Sequence, residues 1–247
     1  MPDPRRLLDA NAVLAAADRD PYARNTVRED LTHGWARDGA VAWLGLDAED
    51  RVPYVSALGH DDRAVAALLA DVRPELPPVP VTVPAAAVRE LRIGFTPQFH
   101  WTLWTCETPP APPDVPVREL TDRAGVAALL NAVGGLHSAA PDDEKVRRWV
   151  GVRDGDRLVA CAADTSAAPG VGHMGSVAVH PAARRRGLAG AVVGWLTRDL
   201  LRHGADVVVV GVFVAEQPAM RLYERVGFRA RHEFLSGELT GVKATGE

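Results

Sequence analysis

The sequence predicts an α/β protein in two parts, and three observations predict it. In the back half, strand-like runs alternate with helical ones, the order expected of a sheet covered by helices. The segment Thr108-Pro109-Pro110-Ala111-Pro112-Pro113-Asp114-Val115-Pro116 favours an extended backbone and separates that half from what precedes it. An apolar fraction of 47% and a charged fraction of 24% in 247 residues supply one large core or two smaller ones and exclude a disordered chain. The division at the prolines gives a smaller α/β domain over 1–112 and a second domain over 113–247.

In the front half, Leu7 to Ala17 has helical spacing, and Ala40–Leu46 and Pro53–Leu58 are strand-like. Ala64 to Leu69 reads as a helix. The prolines between Pro74 and Pro84 interrupt the pattern, after which Ala85–Leu91 is helical. Phe95, Phe99, Trp101 and Trp104 alternate in part as a strand does. They suit core or interdomain packing, or the wall of a substrate pocket.

In the back half, Val117–Leu120 is a short strand and Asp122–Val133 a helix with Leu129, Leu130 and Val133 on its apolar face. Asp142–Arg148 reads as a second helix. Trp149–Arg153 and Arg157–Ala163 are strands joined by Asp154-Gly155-Asp156, a hairpin signal. His173–Val179 is a strand, Gly187–Arg202 a helix, Ala205–Val214 a nearly continuous apolar strand, Pro218–Val226 a helix and Phe228–Leu235 a last strand.

Charge and composition narrow the function. The net charge of −4 is too mild for a nucleic-acid binder. It divides unevenly: residues 1–116 carry 11 Arg against 17 Asp plus Glu, a balance of −6, and the remainder has a balance of +2. The back half is the better host for a polyanionic small ligand. The apolar stretches Gly187–Leu196 and Val207–Ala215 are too short to span a bilayer, and no secretion signal opens the chain. Cys106 and Cys161 show no metal spacing and read as core thiols, so no metal is expected and the compartment expected is the cytoplasm.

The chemistry concentrates in Val177-Ala178-Val179-His180-Pro181-Ala182-Ala183-Arg184-Arg185-Arg186-Gly187-Leu188-Ala189-Gly190. A strand runs through an arginine-rich loop into a helix on which Leu188, Val192, Trp195, Leu196 and Leu200 recur, ending at His203-Gly204. Unpaired N–H groups and the positive end of the helix dipole attract an anion there, and small residues let a phosphate approach the backbone. Neither the Gly-Lys-Ser/Thr ending of a P-loop nor Gly-x-Gly-x-x-Gly is present, which removes the nucleoside-triphosphate and dinucleotide readings. Taken alone, the loop would be a small-residue helix start with exposed arginines. A second string, Glu216-Gln217-Pro218-Ala219-Met220-Arg221-Leu222-Tyr223-Glu224-Arg225-Val226-Gly227-Phe228, follows the apolar strand. Proline stands in its first turn and Gly227 at its end.

From about Val117 onward the sequence resembles the GNAT N-acetyltransferase superfamily. The phosphate motif is matched by Arg184, Gly187 and Ala189, and the later motif by Ala219, Leu222, Tyr223, Gly227 and Phe228. The resemblance implies a GNAT-like α/β (α+β) fold with a mixed sheet whose central strands splay. It implies acetyl-CoA as cosubstrate: Val177, Ala178 and Val179 along the pantetheine, and Arg184, Arg185, Arg186, Gly187, Leu188, Ala189 and Gly190 around the pyrophosphate. Tyr223 would be the acid that protonates the departing thiolate; without the motif it reads as a core tyrosine. A small-molecule or peptide amine would attack the thioester directly, with no nucleic acid or membrane as partner and with room for a homodimer. A catalytically silent acyl-CoA-binding regulatory protein is the alternative.

Two positions depart from the resemblance. Glu216 stands where many relatives have asparagine, and Gly175 where some carry a glutamate base. His173, Glu216 and a water chain are the remaining candidates for the base, while His137, His180 and His232 suit surface or packing roles. The front half reads as a degenerate second copy. Aligning Gly94-Phe95 with Gly227-Phe228 pairs Ala86 with Ala219 and puts Glu90 in the place of Tyr223, and no Arg-x-x-Gly-x-Gly/Ala string precedes residue 117.

Overall fold

The computed structural model describes residues 3–29, 33–46, 53–76, 78–135 and 137–242. The elements are β1 (Arg5–Leu7), α1 (Ala10–Ala16), α2 (Pro21–Thr26), β2 (His33–Arg37), β3 (Ala40–Leu46), β4 (Pro53–Gly59), α3 (Asp62–Val72), β5 (Pro80–Pro84), α4 (Ala87–Glu90) and β6 (Ile93–Cys106). They continue as β7 (Arg118–Leu120), α5 (Arg123–Val133), β8 (Arg148–Asp154), β9 (Arg157–Asp164), β10 (Val171–Val179), α6 (Leu188–Arg202), β11 (Val207–Phe213), α7 (Gln217–Val226) and β12 (Arg229–Val242). No helix among the described residues is long and apolar enough to cross a membrane.

Local chemistry explains most boundaries. Asp9, Asp20, Asp61 and Asp122 each stand at a helix N-cap and accept a backbone N–H, satisfying donors the first turn leaves open. Gly155, with φ of 60°, lies in the two-residue turn between β8 and β9, where Asp154 pairs with Arg157.

Three expectations are corrected. Asp142–Arg148 forms turns rather than a helix. Only Val146 offers an apolar anchor within it, the Asp143 carboxylate accepts the Ala140 N–H at 3.1 Å, and Arg148 is drawn into β8. The first helix is shorter than Leu7–Ala17, because Leu7 ends β1 and Asp9 starts the helix. The proline cluster contains β5, in which Pro80 and Pro84 stand at the ends while Val81 and Val83 are buried.

The chain divides into two compact units. The first holds the described residues up to Leu103, with Phe213–Ala215 and those from His232 onward; the second holds Trp104–Val212 and Glu216–Arg231. The segment 108–116 falls inside the second unit.

The first unit's strands run in the order β1-β2-β3-β4-β5-β12-β6. β4 and β5 are parallel, and β12 pairs antiparallel with β5 from Phe234↔Pro84 to Glu238↔Pro80. Its core gathers Trp35, Val55, Leu68, Leu69, Val81 and Val83 around α3. Trp101 lies in this unit, its indole N–H donating to Ser236 Oγ at 2.9 Å and its ring 4.8 Å from that of Phe234.

The second unit's strands run β11-β10-β9-β8-β7, antiparallel except for β10 and β11. One face packs on α6 and α7 through Met174, Val192, Leu196, Val208, Val210 and Tyr223, a cluster that includes Trp104 and Cys106. The other face packs on α5 through Val126, Leu129, Trp149, Cys161 and Ala178.

Both halves of the chain share one order of elements: strand, helix, three antiparallel strands, helix, parallel strand, helix and strand, with α2 as an addition in the first.

Candidate functional site

β10 and β11 pair over three residues only, Val171↔Val207, Gly172↔Val208 and His173↔Val209. Beyond these, residues 174–179 of β10 and 210–213 of β11 run on without pairing to each other. β10 remains tied to β9 on its other side, through Met174↔Asp164, Gly175↔Ala163, Ala178↔Cys161 and Val179↔Ala160. The result is a wedge in the sheet whose β10 edge, including Val177, Ala178 and Val179, carries backbone donors and acceptors with no strand partner in β11.

A bulge between Gly175 and Ala178 shapes that edge, and Ser176 within it has φ of 47°, a left-handed conformation that costs a residue with a Cβ about 1–3 kcal/mol. The segment after α5 holds it there. Ser138 Oγ accepts the Ser176 N–H at 3.1 Å, while Ser176 Oγ accepts the Ala139 N–H at 2.8 Å and donates to the Ala139 carbonyl at 3.0 Å. The same contact accounts for Gly175, because a Cβ there would stand 2.3 Å from Ser138 Oγ. A side chain at position 175 would therefore require Ser138 Oγ to move from its place in the bulge.

From β10 the chain enters a 3-10 turn, Pro181–Ala183, begun by His180, whose Nδ1 accepts the Ala182 N–H at 3.2 Å. Buried Ala183 anchors the loop, and Arg184, Arg185, Arg186 and Gly187 are exposed. Arg185 and Gly187 adopt positive φ, 63° and 76°. Arg186 is held by Asp154 at 2.8 Å. Gly187 caps α6 without a side-chain acceptor, and the first helical bond is from the Ala191 N–H to the Gly187 carbonyl at 3.0 Å. The amides of Leu188, Ala189 and Gly190 are thus left without an intrahelical acceptor at the positive end of a 15-residue helix. A Cβ on Gly187 would meet nothing within 4 Å, so the space over the loop is open. This chemistry suits a phosphate group.

Tyr223 lies on α7 in the same buried cluster as Leu188, with Val177 and Val179 packed against it. It is 5% exposed and meets Phe228 edge to face at 5.4 Å. Its hydroxyl has no hydrogen-bond partner among the described residues, and burial pushes the phenol's pKa up, so it stays protonated at neutral pH.

His173 is on the other face of the sheet. Gly172 and Met174 look toward α6, whereas His173 shares the α5 face with Gly175. Its Nδ1 is 2.6 Å from Thr165 Oγ1, and its N–H donates to Ser166 Oγ. Glu216 is exposed at the N-cap of α7 and makes no side-chain cap. Tyr223 and Leu188 thus belong to one buried cluster against which Val177 and Val179 pack, whereas His173 lies on the opposite face of the sheet and Glu216 is exposed at the N-cap of α7. Ser138, Ser176 and Thr165 were missed by sequence reasoning. No motif marks them, and Ser138 lies 38 residues from its partner.

In the first unit the corresponding strand-to-helix passage, β4 to α3, is only His60-Asp61, and the Asp61 carboxylate accepts the Arg63 N–H at 2.9 Å. A carboxylate already occupies that helix start. Both cysteines are free and buried; burial pushes the Cys161 thiol up to about 12.

Residues 149–235 match the model of a family described as FR47-like protein. Among solved structures, a GCN5-related N-acetyltransferase from Kribbella flavida is similar at 18% identity and a TM-score of 0.59, over 96% of this chain and 97% of that one. One from Sphaerobacter thermophilus is similar at 18% identity and a TM-score of 0.57, over 100% of both chains. An acetyltransferase of the GNAT family from Colwellia psychrerythraea is similar at 12% identity and a TM-score of 0.53, over 96% of this chain and 100% of that one. No curated protein matches the sequence. The fold is that of the GCN5-related N-acetyltransferases.

Proposed function

We propose that the protein transfers an acetyl group from acetyl-CoA to a primary amine, using the wedge between β10 and β11 and the loop leading into α6. The observation that carries the reading is the uncapped start of α6 directly beside a strand edge that β11 leaves unpaired. A pyrophosphate suits the amides of residues 185–190, with Arg184 and Arg185 adding positive charge, and a pantetheine's amides suit the backbone of Val177–Val179. Acetyl-CoA supplies the acetyl group as a thioester.

The amine lone pair forms the new C–N bond as the C–S bond breaks with its electrons to sulfur. Tyr223, kept protonated by burial, donates its hydroxyl proton to that sulfur, and the nitrogen, acidified by acylation, gives its own to water. Cys161 plays no part, being buried and without thiolate character at neutral pH.

A silent acyl-CoA binder has no use for a protonated buried phenol on α7, so retention of Tyr223 favours catalysis. The test is Tyr223→Phe. Turnover should fall by about 100-fold or more while acetyl-CoA affinity changes less than about twofold. Unchanged turnover would remove Tyr223 from the role.

A further inference from the structure

The acyl-CoA reading, on which this inference rests, leaves open what decides which backbone groups of β10 meet the coenzyme. Bonds to β9 at the two ends of the strand set the pattern. The His173 carbonyl accepts the Thr165 N–H at 3.0 Å, and the His180 N–H donates to the Val159 carbonyl at 2.9 Å. By alternation inward from those bonds, Gly175 and Ala178 turn their backbone groups to β9, whereas Met174 and Val179 turn theirs to the β11 side.

Alternation from the two ends differs by one residue where they meet. Gly175 pairs with Ala163 and Ala178 with Cys161, so Ser176 and Val177 together stand opposite the single Ala162. The packing requires this extra residue. Met174, Val177 and Val179 go with the cluster on the α6 face and Ala178 with the cluster on the α5 face, an arrangement that simple alternation from Met174 would reverse. Packing alone does not say at which residue the strand absorbs the surplus.

Ser138 and Ala139 fix that position. Ser176 spends its N–H on Ser138 Oγ at 3.1 Å, and its hydroxyl accepts the Ala139 N–H at 2.8 Å while donating to the Ala139 carbonyl at 3.0 Å. Ser176 and Ala139 are both buried, so water does not compete for the bonds between them. The N–H of Ser176 is thereby withdrawn from the wedge, and its φ of 47° takes up the surplus at this one residue.

We infer that Ser138 and Ser176 are positioning residues for the pantetheine arm of the acyl-CoA. By holding the bulge at Ser176 they leave the backbone groups of Val177 and Val179, rather than those of Ser176 or Ala178, facing the wedge. They act through the strand's backbone, which both faces of the sheet share. Their action is confined to the arm, because the amides of residues 188–190 that suit the pyrophosphate are set by α6 and lie beyond the 3-10 turn Pro181–Ala183. The nucleotide end of the ligand answers to a helix, and the thioester end answers to two serines.

The experiment measures by calorimetry the affinity of the full chain for two probes: acetyl-CoA, and 3′-phospho-ADP, which has the pyrophosphate and lacks the arm. Ser176→Ala loses both bonds to Ala139 and keeps the left-handed strain, and should bind acetyl-CoA about tenfold or more weaker. Its affinity for 3′-phospho-ADP should stay within about twofold of native. Ser138→Ala, which keeps both bonds to Ala139 and so is the safer variant to fold, should show the same split at about threefold or more. Ser138→Thr retains the hydroxyl at an exposed position and should bind both probes as the native chain does. Equal loss for the two probes in Ser138→Ala, as a general loosening would give, overturns the inference. So does unchanged acetyl-CoA affinity in both alanine variants, and in either case the acyl-transfer reading stands. A native chain that binds neither probe overturns the reading and the inference with it.

Discussion

Gly175→Ala adds one methyl group where the structure has no space for it. The new Cβ would stand 2.3 Å from Ser138 Oγ, so either that hydroxyl turns away or the segment 138–139 lifts from the bulge. The first response deprives the Ser176 N–H of its acceptor, and an unsatisfied buried donor costs about 1–3 kcal/mol. The second also breaks the two bonds between Ser176 Oγ and Ala139, each worth about 1 kcal/mol. A loss of about 2–4 kcal/mol is expected. Ser138→Ala should cost about 1–3 kcal/mol, chiefly for the acceptor lost by the Ser176 N–H, its contact with Ser176 Oγ being long at 3.5 Å. In that background Gly175→Ala should add almost nothing, since the nearest remaining atom, the Cβ of residue 138, is 3.5 Å away. The double variant should therefore resemble Ser138→Ala, with a coupling of about 2 kcal/mol in a double-mutant cycle. Urea denaturation gives the four stabilities, and hydrogen exchange at the Ser176 amide reports the local bond. Equal cost for Gly175→Ala in both backgrounds would refute the steric account of position 175.

Gly187→Val should weaken acetyl-CoA binding at least about tenfold, because a β-branched residue held at φ of 76° is strained by about 1–3 kcal/mol or displaces the loop. Gly187→Asn, which tolerates that conformation, should keep most of the affinity in calorimetry, and intact binding by the valine variant would contradict the phosphate role of the loop. Cys161 should resist thiol reagents in the folded protein at pH 8, since a thiol of pKa about 12 is about one part in 10⁴ thiolate there, and should react after unfolding in urea. Rapid labelling of native Cys161 would restore it as a possible nucleophile.

What could be read in advance follows from the range of the interactions. α6 announced itself through Leu188, Val192, Leu196 and Leu200, and the β8–β9 hairpin through Gly155, because both depend on neighbours a few residues apart. The helix start and Tyr223 were legible for the same reason. The segment 134–147 was not: Asp142–Arg148 has helix-forming residues but too few apolar anchors, and its conformation answers to partners on β9 and α6. Ser176 could not be foreseen as left-handed, because serine carries no local preference for that conformation and only Ser138 and Ala139, far away in sequence, hold it there. β5 was hidden by its terminal prolines, which would have argued against an interior strand had they stood between Val81 and Val83.

The chain's last strand carries a consequence for where the chain can be cut. β12 follows α7 in the second run of elements, yet from His232 onward it belongs to the first unit and supplies the partner strand of β5. Deleting the half with the self-capped helix would strip β12 of that partner, and deleting β12 would open a raw edge in the half that remains. The two runs of elements are therefore not separable at any single point in the chain. A truncation at the proline segment would leave β12 from His232 onward without the strand it pairs with.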